Sequence, residues 1–262
     1  METLPLDILL YIIDILAGGD DEDVKSLRIL SQTCKYMVPL CRKHLFSSLY
    51  LHSKLDLQRF SDLLLKNPDI ARYVRSLKYL VRLLPISDHE LNILDMLKER
   101  SSLQSIELRS SELESLLDWK NLAESIRSSL VSLIQLPTVT FLSIHSFNGF
   151  PATVLSGCSN LIDLQLGNLI LAPSEVNQVI SRSKIPAPVS LIINAKSLYI
   201  NRNNYGLASL LDSEGLHAGG PIVDFSRLQK AEFSLGSRDL LVLVNGLIKV
   251  TTRLEYLRIL GE

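Results

Sequence analysis

The sequence predicts an α/β fold in which a helical module is followed by an irregular solenoid of strands and helices. Two observations predict it. The segment from Leu4 to Leu51 carries more apolar residues than one helix face can hide, and an apolar spacing typical of strands recurs eight times from Phe46 onward. With 262 residues, 47% of them hydrophobic, the chain is long enough for a substantial core. We expect a helical domain at 1–52 and a repeat domain at 53–262.

The composition argues against several classes of partner and compartment. There are 27 Lys and Arg against 28 Asp and Glu, so the net charge is -1 and we expect neither nucleic acid nor membrane as a partner. Three cysteines and the lack of an Asn-x-Ser/Thr sequon indicate a reducing compartment. No run of about 18 apolar residues occurs that could span a membrane. We therefore expect a cytoplasmic or nuclear protein, or one found in both.

The first predicted helix has two apolar faces. Pro5 suits the first helical position, and Asp7 would lie near the positive end of the helix dipole. From Ile8 to Leu16 every residue except Tyr11 and Asp14 is apolar, which is wider than the single stripe of an ordinary surface helix. A module of roughly 50 residues buries only about 60% of its chain surface. It can cover one face itself, so the other face is predicted to bind a neighbour.

Two segments of this module resemble the F-box family. Leu4–Ile12 (Leu-Pro-Leu-Asp-Ile-Leu-Leu-Tyr-Ile) resembles its opening Leu-Pro-x-Glu-Ile-Leu-x-x-Ile, and Leu27–Lys35 resembles its second half, which includes a Cys followed by a basic residue. Met37 stands where the family usually has Trp. The resemblance implies a Skp-family adaptor as partner and, through it, a cullin. The expected adaptor-binding residues, or their immediate support, are Leu4, Pro5, Ile8, Leu9, Ile12, Leu27, Leu30 and Cys34.

The repeated spacing is an apolar residue, another three positions later and a third two positions after that. It is the strand signature of a leucine-rich repeat, and its starts lie between 22 residues (Val139 to Leu161) and 36 residues (Leu103 to Val139) apart. The spacing is wider and more irregular than in regular repeats, but eight copies in order favour stacked strand-plus-helix units, with a general α/β domain as the alternative. The predicted strands begin at Phe46, Val74, Leu103, Val139, Leu161, Ala195, Leu228 and Leu254.

The segments between these strands carry apolar residues at helical intervals, which predicts helices on the convex side. The chain ends at Glu262, soon after the last predicted strand and without a closing helix, so we expect a truncated repeat array. The predicted helices are 55–66, 89–98, 112–135, 174–180 and 238–249, and the longest predicted loop is 212–224.

In such strands the pattern residues point inward, so the residues between and after them share the concave surface. Mixed charge with a few aromatics is typical of protein-recognition faces, although a solvated sheet face would look the same. The candidate target-binding residues are Glu107, Arg109, Phe141, His145, Gln165, Tyr199, Asn201, Tyr256 and Arg258, and they share this face with Ser76, Lys78, Ser105, Ser143, Asp163, Ser197, Lys230 and Glu232.

No combination of residues predicts a catalytic, cofactor or metal site. Cys34, Cys41 and His44 lie close in sequence, but a structural zinc needs four ligands and no second pair follows at a suitable spacing. Cys158 with His145 as its base has no local support, and a buried structural cysteine is the commoner case. We therefore expect no enzymatic activity.

The resemblance implies a non-catalytic substrate-recognition subunit of a cullin-type ubiquitin ligase, whose helical domain binds the adaptor and whose repeats bind a target protein. The alternative is a leucine-rich-repeat interaction scaffold with no ubiquitin role, in which the first helices only cap the solenoid. Met37 and the acidic break from Gly18 to Asp23 favour this alternative. Co-purification with an adaptor and a cullin would separate the two.

Overall fold

The structure, a computed structural model, describes residues 5–18, 21–83, 88–111, 115–172, 185–195, 223–235 and 246–260. It combines a parallel sheet with helices, so the predicted α/β class is confirmed. Within the described ranges, no helix combines the length and apolar character needed to cross a lipid bilayer.

The chain begins with three helices that pack on one another. They are α1 (Leu6–Gly18), α2 (Asp21–Thr33) and α3 (Met37–Leu45). Their shared core consists of four buried side chains, with half-buried leucines such as Leu9 and Leu30 around it. This cluster is separate from the larger core beneath the sheet. The four buried residues are Ile13, Leu27, Met37 and Cys41.

Within the described ranges a parallel sheet of nine strands follows, and its main strands are neighbours in chain order. The short strand β4 pairs only with the far part of β5. The strands are β1 (Ser48–Leu51), β2 (Ser76–Val81), β3 (Ser105–Ser110), β4 (Leu117–Asp118), β5 (Phe141–Pro151), β6 (Asp163–Ala172), β7 (Ser190–Ala195), β8 (Lys230–Leu235) and β9 (Tyr256–Leu260).

The connections between strands carry helices. The helices are α4 (Lys54–Lys66), α5 (Asp88–Arg100), α6 (Glu124–Ile134) and α7 (Thr153–Ser156), with 3-10 turns at Pro68–Tyr73, Trp119–Asn121 and Phe225–Arg227 and helical residues at 246–250. A capping box begins α4, because the Ser53 side chain accepts from the Asp56 amide while the Asp56 carboxylate accepts from the Ser53 amide.

Each repeat unit, a main strand with the connection that follows it, begins with the same pair of backbone hydrogen bonds. The carbonyl before each main strand from β1 to β8 accepts two amide protons from the start of the next strand, at 2.7 to 3.1 Å. The spacing of these carbonyls ranges from 22 residues (Thr140 to Ile162) to 40 residues (Val189 to Gln229). Units of different length therefore enter the sheet identically. The accepting residues are Ser47, Arg75, Gln104, Thr140, Ile162, Val189 and Gln229.

One sheet face carries the core. Alternate strand residues are buried there and pack with the apolar sides of α4, α5 and α6, as the period of two along a strand requires. From β2 to β8 they form two rows across the sheet: Leu77, Ile106, Leu142, Leu164, Leu191 and Ala231, then Tyr79, Leu108, Ile144, Leu166, Ile193 and Phe233.

The predicted helix at 112–135 is wrong in its first half. Among its described residues, 115–135, only Glu124–Ile134 form an α-helix, whereas Leu117 belongs to β4 and Trp119 to a 3-10 turn. Trp119 packs edge-on against Phe147 and Phe150, with ring centroids 5.8 and 4.8 Å apart. These contacts with the long strand β5 override the helical spacing of the local sequence.

The sixth predicted strand is misplaced. It was expected to begin at Ala195, but Ala195 is the last residue of β7, and Leu191 and Ile193 occupy the inward positions. The same apolar spacing exists seven residues earlier if Pro188 takes the first position. The predicted continuation at 196–200, the helix at 174–180 and most of the 212–224 loop lie outside the described residues.

Candidate protein-binding surfaces

One side of α1 is an exposed apolar stripe. Its members are Ile8, Tyr11, Ile12 and Ile15, whose side chains follow one another at helical intervals and are 39% to 66% exposed. The opposite side carries Ile13, which is fully buried in the module core. The sequence prediction that the module cannot shelter all its apolar residues is therefore confirmed for the described part of the chain. We call these four residues the α1 stripe.

The orientation of the stripe follows from how α1 packs. Leu9 and Leu16 pack beside Ile13 against the core formed with α2 and α3. Asp14 Oδ1 lies 3.5 Å from Lys43 Nζ and 3.1 Å from His44 Nε2 on α3. These contacts hold one side of α1 toward its partner helices, so the stripe is left on the other side.

The proposed adaptor-binding residues divide into exposed and supporting positions. Pro5, Ile8, Ile12 and Cys34 are exposed and accessible to a partner. The other described members contribute to the module interior: Leu27 is buried, and Leu9 and Leu30 are half-buried. Leu4 lies outside the described residues.

Sequence reasoning did not select the exposed apolar side chains of α2 and of the turn before α3. Val24 and Ile29 lie on α2, and Tyr36 immediately precedes α3; Ile29 is 65% exposed. Apolar residues placed off the core-facing side of a polar helix could have indicated them. They enlarge the apolar surface that the module presents.

The second surface is the sheet face opposite the helices, here called the outer face. The strand register aligns its residues in three rows across the sheet, and all described members of the predicted concave set lie in these rows. The rows are Ser48, Ser76, Ser105, Phe141, Asp163, Ser190, Lys230 and Tyr256; Tyr50, Lys78, Glu107, Ser143, Gln165, Ile192, Glu232 and Arg258; and Leu80, Arg109, His145, Gly167, Asn194, Ser234 and Leu260.

Two candidate residues of this face, Tyr199 and Asn201, lie outside the described residues, as does Ser197. Because β7 is Ser190–Ala195, the outward register positions of this unit belong to Ser190, Ile192 and Asn194. The strand of this repeat follows the apolar spacing that starts at Pro188, seven residues before the predicted start at Ala195.

At the β1 to β3 end, charged side chains line a cleft. Lys78 Nζ lies 3.5 Å from Glu107 Oε2, and Arg109 Nε donates to Glu107 Oε1. The rings of Tyr50 and His52 stack alongside at a centroid distance of 5.4 Å. The cleft has a volume of about 440 Å³ and is lined by Ser48, Tyr50, Lys78, Tyr79, Leu80, Glu107 and Arg109.

The middle of the outer face is a fixed polar cluster. Ser143 Oγ lies 2.8 Å from His145 Nε2 and 3.5 Å from Gln165 Oε1. The His145 ring lies against Gly167, where an added Cβ would come within 2.0 Å of Nδ1. Burial lowers the pKa of His145, the charge of Arg109 lowers it further, and Glu107 opposes both.

Burial makes this cluster unsuited to act as a catalytic serine and histidine, although Ser143 Oγ and His145 Nε2 lie 2.8 Å apart. Ser143 is only 2% exposed, so its hydroxyl is closed to a substrate unless the surface rearranges. The contacts instead hold His145 and Gln165 in defined positions beside the cleft, as a binding surface requires.

At the β8 and β9 end, Lys230 connects two neighbouring strands. Its Nζ lies 3.1 Å from Glu232 Oε1 and 5.6 Å from the centroid of the Tyr256 ring. Tyr256 and Arg258 are exposed on β9, while Phe141 and Gln165, nearer the centre, are half-buried. The face therefore offers charged and aromatic groups at both ends.

The cysteines fit structural roles better than chemical ones. Burial raises the pKa of the Cys158 thiol to about 12 and also raises that of Cys41, so both stay protonated at neutral pH. Cys158 Sγ lies within 3.7 Å of the carbonyls of Ile134 and Val154. Across the described ranges, no group of three His, Cys, Asp or Glu residues could hold a metal ion.

Comparison with known proteins assigns no family to the chain. Scanned against models of protein families, the sequence matches none of them. A search of curated proteins finds no significant match. Any proposal of function therefore rests on the motifs and surfaces of this chain.

Proposed function

We propose that this chain is a non-catalytic substrate-recognition subunit of a cullin-type ubiquitin ligase. In this proposal residues 1–52 form an F-box-like domain that binds a Skp-family adaptor and, through it, a cullin. Residues 53–262 form an irregular leucine-rich-repeat domain that binds a target protein. The proposed location is the cytoplasm, the nucleus or both, because the cysteine content indicates a reducing compartment.

The α1 stripe carries the proposal. Four large side chains that stay 39% to 66% exposed on one helix cost free energy in water, and burial against a partner would recover it. An apolar helix face of this kind suits docking into a groove of a second protein. The stripe includes Ile8 and Ile12 of the F-box-like segment, so the sequence resemblance and the exposed surface coincide.

The outer face supports the target-binding part. Parallel strands in chain order present three rows of side chains that include Tyr, Phe, Arg and Lys. Tyr and Arg are enriched among the residues that dominate protein interfaces. A broad, mixed-charge face fits recognition of a protein segment better than it fits a small-molecule pocket.

A scaffold without a ubiquitin role is the second candidate, and one contact favours it. Helix α3 packs against the 3-10 turn Pro68–Tyr73 of the first sheet unit, as a capping module would. Capping through α3 leaves the α1 stripe without a role. The ligase proposal gives that stripe a partner, so we prefer it.

The test is capture of a purified Skp-family adaptor by the wild-type chain and by Ile8→Asp. Ile8 is 44% exposed, so Asp there should abolish capture and leave the sheet folded. Leu9→Asp is less suitable, because Leu9 packs against the module core. Folding of the sheet is followed by the fluorescence of Trp119, the single tryptophan, which is 3% exposed. Adaptor capture by Ile8→Asp at the wild-type level would reject the role of the α1 stripe.

A further inference from the structure

The cleft over β1 to β3 has an uneven distribution of charge. Glu107 lies at its floor, 15% exposed, while the Lys78 and Arg109 side chains beside it are 51% and 60% exposed. Two cations against one carboxylate leave a net formal charge of one positive. The groups that an incoming ligand meets first are therefore the cationic ones.

Glu107 also fixes how Arg109 can bind a ligand. The hydrogen bond to Glu107 uses Arg109 Nε, which leaves the two terminal guanidinium nitrogens as donors for a further acceptor. A carboxylate fits such a pair of donors in a bidentate arrangement. Lys78, in the neighbouring strand, is held toward the same point by its contact with Glu107 at 3.5 Å. Arg109 and Lys78 are thus preorganised around one anionic position.

The surroundings suit a side chain on an extended peptide. The Tyr50 ring, which is stacked on the His52 ring, forms one wall, and Leu80 lies in the row next to Lys78. These groups can contact the methylene part of a Glu or Asp side chain. The volume of about 440 Å³ accommodates one such side chain with its neighbouring backbone.

We propose that this cleft binds a single Glu or Asp side chain from an extended acidic segment of the target protein. The inference rests on the proposed target-binding role of the outer face and names the chemistry of the segment it takes. One net positive charge balances one carboxylate. A phosphoryl group carries nearly two negative charges, and Glu107 would repel it more strongly.

The test uses the full chain and four fluorescein-labelled peptides with one shared Gly-Ser-Tyr backbone, differing only in a repeated Glu, Gln, Lys or phosphoserine. Binding is followed by fluorescence anisotropy. The variants are Lys78→Gln with Arg109→Gln, and Glu107→Gln. The matched control is Lys54→Gln with Lys66→Gln, because these two lysines are exposed on α4 and lie away from the outer face.

The Glu peptide should bind best, and the Lys78→Gln and Arg109→Gln double variant should weaken it at least fivefold. Glu107→Gln should not weaken it, because the Gln carbonyl oxygen can still accept from Arg109 Nε while the competing negative charge is lost. The Lys54→Gln and Lys66→Gln control should have no effect. Tighter binding of the Lys or phosphoserine peptide, no binding of the Glu peptide, or an equal loss in the control would each overturn the proposal.

Adaptor capture by the same variants separates this inference from the proposed function. The double variant should capture the Skp-family adaptor normally, since the cleft is not part of the α1 stripe. If the double variant loses acidic-peptide binding but still captures adaptor, the substitutions affect the cleft alone. Failure of the wild-type chain to capture adaptor, with acidic-peptide binding intact, would reject the ligase role and leave the cleft as an acidic-segment site.

Discussion

The contribution of Ile8 and Ile12 on the α1 stripe to the free energy of adaptor binding can be calculated from the exposure of their side chains. Ile8 is 44% exposed and Ile12 is 39% exposed, so together they can still bury about 0.8 of one isoleucine side chain. Full burial of such a side chain is worth about 1.5–3 kcal/mol. After allowance for the remaining Ala methyl groups, Ile8→Ala with Ile12→Ala should remove about 1–2 kcal/mol of adaptor binding, or roughly five- to thirtyfold in Kd.

The same double substitution should change folding stability little. Each residue loses some contact within the module, but Ala is a better helix former than Ile by a few tenths of a kcal/mol. The net change in the free energy of unfolding should stay within about 1 kcal/mol. Ile13→Ala would be the opposite case, because Ile13 is fully buried and its truncation should cost about 2–5 kcal/mol of module stability.

The assay is titration of the purified adaptor by calorimetry, with circular dichroism to check helix content. The matched control is Leu55→Ala with Leu65→Ala, which removes two leucines that are 51% and 64% exposed on α4. The control should bind adaptor as the wild type does. Unchanged affinity of the α1 double variant, or an equal loss in the α4 control, would refute the reasoning from exposed area.

Three further predictions concern the sheet and the thiols. Gly167→Ala should lower the free energy of unfolding by about 1–3 kcal/mol in urea denaturation, because its Cβ would collide with the His145 ring; unchanged stability would contradict that packing. The pKa of His145 is lowered in the fold, so the unfolded chain binds a proton at this residue more readily than the folded chain does. The free energy of unfolding should therefore fall as the pH drops below 6.5, and it should fall less in His145→Gln. Equal pH dependence in both proteins would contradict the assignment. Of the three thiols, only Cys34 should react rapidly with iodoacetamide in the native protein, because Cys41 and Cys158 are buried. Labelling of the native protein is followed by digestion and mass spectrometry. Rapid labelling of either buried thiol would be inconsistent with the structure.

The helical module shows what sequence reasoning could and could not reach. The excess of apolar residues between Ile8 and Leu16 was visible in the composition of a single helix. Which residues turn inward was not, because that depends on how α2 and α3 pack on α1. Leu27 was predicted to belong to the interface or to its immediate support, and the packing places it in the module core.

In the sheet, local spacing predicted most strands, and tertiary contacts decided the exceptions. Leu117 and Trp119 have helical spacing with their neighbours, but the extended β5 recruits them. The repeat spacing already places Lys78 opposite Glu107, because the predicted strand starts Val74 and Leu103 are 29 residues apart, as Lys78 and Glu107 are. The side-chain contacts that shape the cleft depend on the packed sheet and could not be predicted from that spacing.

If a foreign subunit of a cullin ligase covers the α1 stripe, that subunit should co-purify with this chain. The most direct measurement is affinity purification of the tagged chain from cells, with quantitative mass spectrometry of wild type and Ile8→Asp side by side. A Skp-family adaptor and a cullin should co-purify with the wild type, and both should be lost with Ile8→Asp. Neither protein with the wild type, or equal amounts with both, would contradict it.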